Sequence, residues 1–255
     1  MCEGLPTFLR DKLKTSVRIG QPYYPVNALS EYLKNFCAPG LFHTEDSRPF
    51  HLSKGGSVSL LKYRERFFAM ASLHQFSKQR FHYNQLVIGS QMRSSLVTSE
   101  EAVFPIGSVE HQEDFDCVRL EFSTLVANNL LSKHLWFDLS KSAVTEPQAD
   151  PVLCVCIGYP GHRNFIDYDQ MSYAVAPNAV WGEATPSALN GRKAFIPIGE
   201  LDYEPDGMSG APVFRLDLEG TSLCLNFAGV LTEATSSMFN YISIDRIFPA
   251  FFARK

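Results

Sequence analysis

Nowhere does the chain carry the roughly 18 consecutive apolar residues that a bilayer-spanning helix needs. Its first residues, MCEGLPTFLRDKLKTSV, scatter charge through what would have to be the apolar stretch of a secretory signal. The expectation is a soluble, cytoplasmic protein. A basic excess is missing too: 23 Lys and Arg stand against 27 Asp and Glu, a net charge of -4, which provides no broad positive field for a phosphate backbone or an anionic membrane. Nucleic acid and membrane are therefore not expected as partners. Cysteine is sparse. The six present (Cys2, Cys37, Cys117, Cys154, Cys156 and Cys224) form no CxxC pair and have no export signal to carry them to an oxidising compartment, so they read as free thiols, and no metal or cofactor is called for. Internal repeats and low-complexity tracts are absent as well.

What is present is ordinary globular material. An apolar fraction of 45% and a charged fraction of 20% over 255 residues allow a sizeable core, in one large or two modest all-β units. Residues 1–50 are mixed, with a short helix expected around Ser30 to Phe36 and turn signals at Ala38-Pro39-Gly40; they read as an N-terminal extension. From Gly55 the texture becomes strand-like: VSLLKY, a charged turn at Arg64-Glu65, then RFFAMASLH form a hairpin. DCVRLEF alternates, with Val118, Leu120 and Phe122 on one face and Cys117, Arg119 and Glu121 on the other, as a half-buried strand does. A loop rich in turn formers from Ser140 to Pro151 separates this half from a second, in which LCVCIG, AFIPI, APVFRLDL, SLCLNFAGVLT and NYISI are short strands bounded by turn residues. In LCVCIG, Cys154 and Cys156 fall on one face. The chain thus divides into an extension (1–50), a first β unit (51–140), a linker (141–150) and a second β unit (151–255), with a short C-terminal helix expected from near Asp245 that Pro249 must either enter in its first turn or break.

The most informative stretch is Asp206-Gly207-Met208-Ser209-Gly210-Ala211-Pro212-Val213-Phe214. Glycines on both sides of a serine free the backbone, so that the N–H groups of Gly207 and Ser209 can point into one cavity and hold an oxyanion. A bare GxSG is also an ordinary glycine-rich turn, and alone it is weak. Its sequel strengthens it, for a strand, a hairpin and a second strand follow, the last carrying Gly229-Val230-Leu231-Thr232.

With these residues in view, GMSGAPVF and AGVLT resemble the nucleophile loop and the substrate-binding strand of trypsin-like, chymotrypsin-fold serine peptidases of the bacterial intracellular type. The resemblance covers roughly residues 51–250. It implies two six-stranded antiparallel β-barrels, no cofactor, a peptide or protein substrate, and the chain order His, Asp, Ser. Ala71-Ser72-Leu73-His74 resembles the small-residue stretch that ends in the family's general base, and Asp116, opening Asp-x-apolar-x-apolar, resembles its orienting carboxylate. Asp114 is a rival in the same strand direction, disfavoured because that register would bury Asp116 at a position usually filled by a small residue. Gly158-Tyr159-Pro160-Gly161 resembles a turn near the start of the family's second barrel and reads equally well as a plain Pro-Gly turn.

By the same resemblance Ser209 is the nucleophile, Gly207 and Ser209 donate the oxyanion hole, Tyr203 lies at the base of the substrate pocket with Asp202 and Glu204 beside it, and Thr232, Glu233 and Ala234 pair with the substrate backbone. Two departures stand out. Secreted members often place Cys after the catalytic His and Asp before the nucleophile; here those positions hold Gln75 and Met208. Met208 cannot pair with a new α-amino group, so activation by N-terminal cleavage is not expected, and control by a regulatory protein partner is. An α/β-hydrolase reading fails, since no His follows Ser209. The remaining alternative is a protease-like fold kept as an inert binding or scaffold module.

Overall fold

A computed structural model describes residues 16–44, 51–79, 81–89, 96–105, 115–142, 153–219 and 222–252. In chain order the strands are β1 Ser16–Arg18, β2 Tyr23–Pro25, β3 Cys37–His43, β4 Leu52–Tyr63, β5 Arg66–Ala71, β6 Leu86–Gly89, β7 Leu96–Thr98, β8 Glu101–Val103, β9 Val118–Glu121, β10 Phe137–Asp138, β11 Leu153–Gly158, β12 Phe165–Asp167, β13 Ser172–Ala174, β14 Asn178–Pro186, β15 Lys193–Pro197, β16 Pro212–Glu219, β17 Ser222–Ala234 and β18 Phe239–Ser243. The helices are α1 Val26–Leu33, α2 His74–Gln79, α3 Ser123–Ala127 and α4 Ile244–Phe252. The fold is all-β, with few helices and a short helix at its C-terminal end.

Six strands of the second half close on themselves. The order β16-β11-β14-β15-β18-β17 returns to β16, every pairing antiparallel, so the ring has no open edge along that circuit. The first half forms a sheet ordered β7-β6-β3-β4-β5-β9-β8, with β10 beside β4; among the described residues β7 and β8 do not pair, so this sheet stays open where a closed six-stranded barrel was expected. Alternation explains how the layers pack. In β11, Leu153, Val155 and Ile157 join the core shared by both sheets, while Cys154 and Cys156 point into the ring against Met208, Phe195 and Phe239, the one-face placement read from LCVCIG. Phe42, Val58, Leu60, Ala69 and Leu120 form a separate apolar cluster within the first half. A buried side chain of this size contributes about 1.5–3 kcal/mol, so the wholly buried Phe68, Phe214 and Phe227 of the shared core hold the two halves together strongly.

Within the expected extension, residues 16–43 are no appendage. β1 and β2 extend the second sheet along β17, α1 buries Leu29 and Leu33, and β3 lies inside the first sheet, which therefore starts before residue 51. Ala38-Pro39-Gly40 is part of β3 and not a turn: Pro39 sits opposite Ser57, and β6 joins β3 only at Leu41 and Phe42, so the proline occupies an edge where no amide is required. The DCVRLEF strand is covered on both faces, because Arg119 donates to Phe251 O at 2.7 Å from beneath α4 and Glu121 takes Arg66 at 2.7 Å. Pro249 lies within α4 without ending it. Most of the expected linker, residues 143–150, lies outside the described residues, as does Asp114.

Candidate active site

Strand register brings His74 and Asp116 together. β5 and β9 run antiparallel with Ala71 opposite Val118; continuing the two chains past that pair sets Asp116 beside the turn that leads into α2, whose first residue is His74. Asp116 Oδ1 accepts the His74 backbone N–H at 2.9 Å, and Oδ2 lies 2.6 Å from His74 Nδ1. An ionised carboxylate only accepts, so Nδ1 carries a proton, and in the neutral ring it is Nε2 that holds the lone pair. The Ser72 hydroxyl completes the cradle. It donates to Asp116 Oδ2 at 2.6 Å and lies 2.9 Å from His74 Nδ1. Burial pushes the Asp116 pKa up, but the hydrogen bond and charge of His74 and the donation from Ser72 outweigh it and hold the carboxyl below its ordinary range.

The serine comes from the other sheet, on the loop between β15 and β16. Gly207 and Gly210 have φ of +86° and +87°, and a Cβ at Gly210 would lie 2.0 Å from Ser57 O, which only glycine avoids. First-sheet groups fasten the loop carbonyls: Ser57 Oγ donates to Gly207 O at 2.9 Å, Ser57 N to Ser209 O at 3.0 Å, and Ser59 Oγ to Gly210 O at 2.8 Å. Met208 is wholly buried in the ring core, so apolar packing fixes the residue between Gly207 and Ser209. Among the described residues neither the Gly207 nor the Ser209 amide donates to a protein acceptor. Ser209 Oγ donates to Thr232 O at 3.2 Å and not to His74.

Around the serine, Tyr203 accepts from Asn178 Nδ2 at 2.5 Å and packs against His162, with ring centroids 4.3 Å apart and the planes tilted by 37°. Asp202 and Glu204 are exposed, so the nearby acids face solvent and the expected pocket base is a neutral phenol, its pKa raised by burial. Thr232 is buried, its Oγ1 donating to Asn240 O at 3.2 Å and taking a bond from Arg192; Glu233 is exposed. Glu233 and Ala234 pair with β18 on one side, while the opposite edge has no strand partner among the described residues. Sequence reasoning did not assign roles to Ser57, Ser59, Ser72 or Gln75. Their only local signal is polarity inside strand and turn patterns that otherwise read as apolar, as in Gly55-Gly56-Ser57-Val58-Ser59.

Among the described residues no thiol has the environment of a reactive thiolate. The five described cysteines are buried, and burial raises each thiol pKa, the opposite of what a reactive thiolate requires. No cluster of three or more metal-ligating side chains occurs among the described residues.

No protein-family model and no curated protein matches the chain. Solved structures similar to it include tobacco etch virus protease complexed with product (13% identity, 84% of this chain and 75% of that one, TM-score 0.44). Tobacco vein mottling virus protease is similar at 12% identity over 88% of this chain and 83% of that one, with a TM-score of 0.47. A structure from work on folding and binding of the Sesbania mosaic virus VPg protein shares 12% identity over 86% of this chain and 96% of that one, with a TM-score of 0.45.

Proposed function

We propose that this chain is a serine endopeptidase of trypsin-like type, with Ser209 as nucleophile, His74 as general base and Asp116 as the carboxylate that orients it. The observation that carries the reading is the doubly hydrogen-bonded Asp116–His74 pair, with its imidazole tautomer set for proton abstraction. In the reaction, Ser209 Oγ attacks the substrate carbonyl carbon while its proton passes to His74 Nε2. The oxyanion takes the free N–H groups of Gly207 and Ser209. As the C–N bond breaks, His74 returns the proton to the leaving amine, and water repeats the cycle on the acyl-enzyme. A peptide substrate adds as a strand along the open edge at Thr232, Glu233 and Ala234. Its backbone displaces the Ser209 hydroxyl from Thr232 O and frees it for His74.

The inert-module alternative has one observation in its favour, the Ser209–Thr232 hydrogen bond. A fluorophosphonate probe separates the two, since only an activated serine reacts. Labelling of the wild type and none of Ser209→Ala supports the enzyme; equal labelling of both, or none of either, overturns it. The free thiols support a reducing, cytoplasmic setting. With Met208 excluding the ion pair of N-terminal activation, control falls to substrate or a regulatory protein partner.

A further inference from the structure

We infer that Gln75 is a positioning residue, its carboxamide tethering the nucleophile loop to the segment that carries the general base; this rests on the proposed roles of Ser209 and His74. Gln75 follows His74 directly and is 4% exposed, an unusual burial for an amide. Its Nε2 donates to Ser57 O at 3.1 Å and to Ser209 O, the main-chain carbonyl of the proposed nucleophile itself. Carbonyl oxygens only accept, so the amide orientation follows from its partners. Ser209 O thereby receives two donors, Gln75 Nε2 from α2 and the Ser57 amide from β4.

The fit around this amide is close. A Cβ on Gly56 would lie 2.7 Å from Nε2 and a Cβ on Gly210 would lie 2.9 Å from it, so one glycine of β4 and one of the loop before β16 leave the space it occupies. Gln75 Oε1 is buried without a hydrogen-bond partner among the described residues, a cost that the two bonds of Nε2 offset. No disulfide joins the sheets among the described cysteines. The consequence is mechanical. His74 and Gln75 are adjacent residues of one helical turn, so a displacement of the base moves the tether, and the tether moves the nucleophile with it. Ser209 sits on the loop before β16 and His74 at the start of α2, and a relative shift of about 1 Å between such groups is enough to cost roughly 10²-fold in rate.

The test uses the full chain, a fluorophosphonate probe, and labelling rates measured against probe concentration and normalised to the folded fraction from circular dichroism. Gln75→Leu should lower the maximal labelling rate about 10- to 100-fold while leaving the half-saturating concentration within about twofold, because the pocket is untouched. Gln75→Glu supplies the second arm. As a carboxylate it repels the two carbonyl oxygens; protonated, it donates one O–H, so its deficit relative to wild type should shrink as pH falls from about 8 to about 6. If both variants label at the wild-type maximal rate per folded molecule, or lose rate only in proportion to lost fold, the inference is overturned while the serine reading stands. If the wild type does not label, or Ser209→Ala labels equally, it is the serine reading that fails.

Discussion

Asp116 holds His74 by two atoms at once, Oδ1 on the backbone N–H and Oδ2 on the ring Nδ1, at 2.9 and 2.6 Å. One contact fixes the turn and the other fixes the ring, so the imidazole cannot rotate without breaking its bond to the carboxylate. Replacing Asp116 with Asn keeps the shape but reverses the tautomer preference, and hydrolysis per folded molecule should fall by about 10⁴-fold. Steady-state kinetics on Asp116→Asn and Asp114→Asn decide the matter: a comparable loss in Asp114→Asn alone removes Asp116 from the role.

Ser72 supports that carboxylate, and its removal has a pH signature. Because Asp116 titrates lower in the folded than in the unfolded chain, its contribution to stability is present above the ordinary carboxylate pKa and is lost as pH falls through the folded value. Ser72→Ala deletes a donor, raises the folded pKa, and should start the acid-side loss at higher pH. Thermal midpoints measured from about pH 7 down to about pH 3 should show the Ser72→Ala curve bending before the wild type. Superimposable curves would mean that the hydroxyl does not bear on Asp116.

Gly207 has a positive φ, and a Cβ there would stand 2.8 Å from Tyr159 O. Gly207→Ala should therefore turn its amide out of the oxyanion site and reduce the turnover number by about 10²–10³-fold, with KM changed far less. An alanine variant with unaltered turnover would show that this amide takes no part.

Met208 is packed in the ring core, which leaves no place there for a carboxylate. Met208→Ala should cost about 2–5 kcal/mol by calorimetry or denaturant titration and slow labelling beyond the loss of fold, since the residue spaces the two oxyanion amides. Stability or labelling like that of wild type would show that packing of Met208 does not order the loop.

The segment before residue 51 supplies β1, β2, α1 and β3. The intact chain should thus react with a fluorophosphonate, intact mass confirming an untrimmed N-terminus, and a chain starting after His43 should fail to fold by circular dichroism. Reactivity confined to molecules trimmed inside that segment would make it a propeptide.

Residue type and local spacing were enough to read several features from the sequence. The glycine frame of Ser209, the alternation that sorts LCVCIG onto two faces, and the all-β class all depend on neighbours a few positions away, where chain geometry is nearly rigid, whereas His74, read as the close of a strand, opens α2 after β5 has ended at Ala71. What only the tertiary structure decided depends on contacts between distant segments. Whether Pro39 turns the chain or sits in an edge strand depends on how far β6 reaches along β3. Whether Arg119 and Glu121 face water depends on α4 folding over the first and Arg66 pairing with the second. The tether from Gln75 to Ser209 joins the turn after β5 to the loop before β16, and a polar residue in a short helix does not signal such a partner until two sheets pack and water has left the space between them.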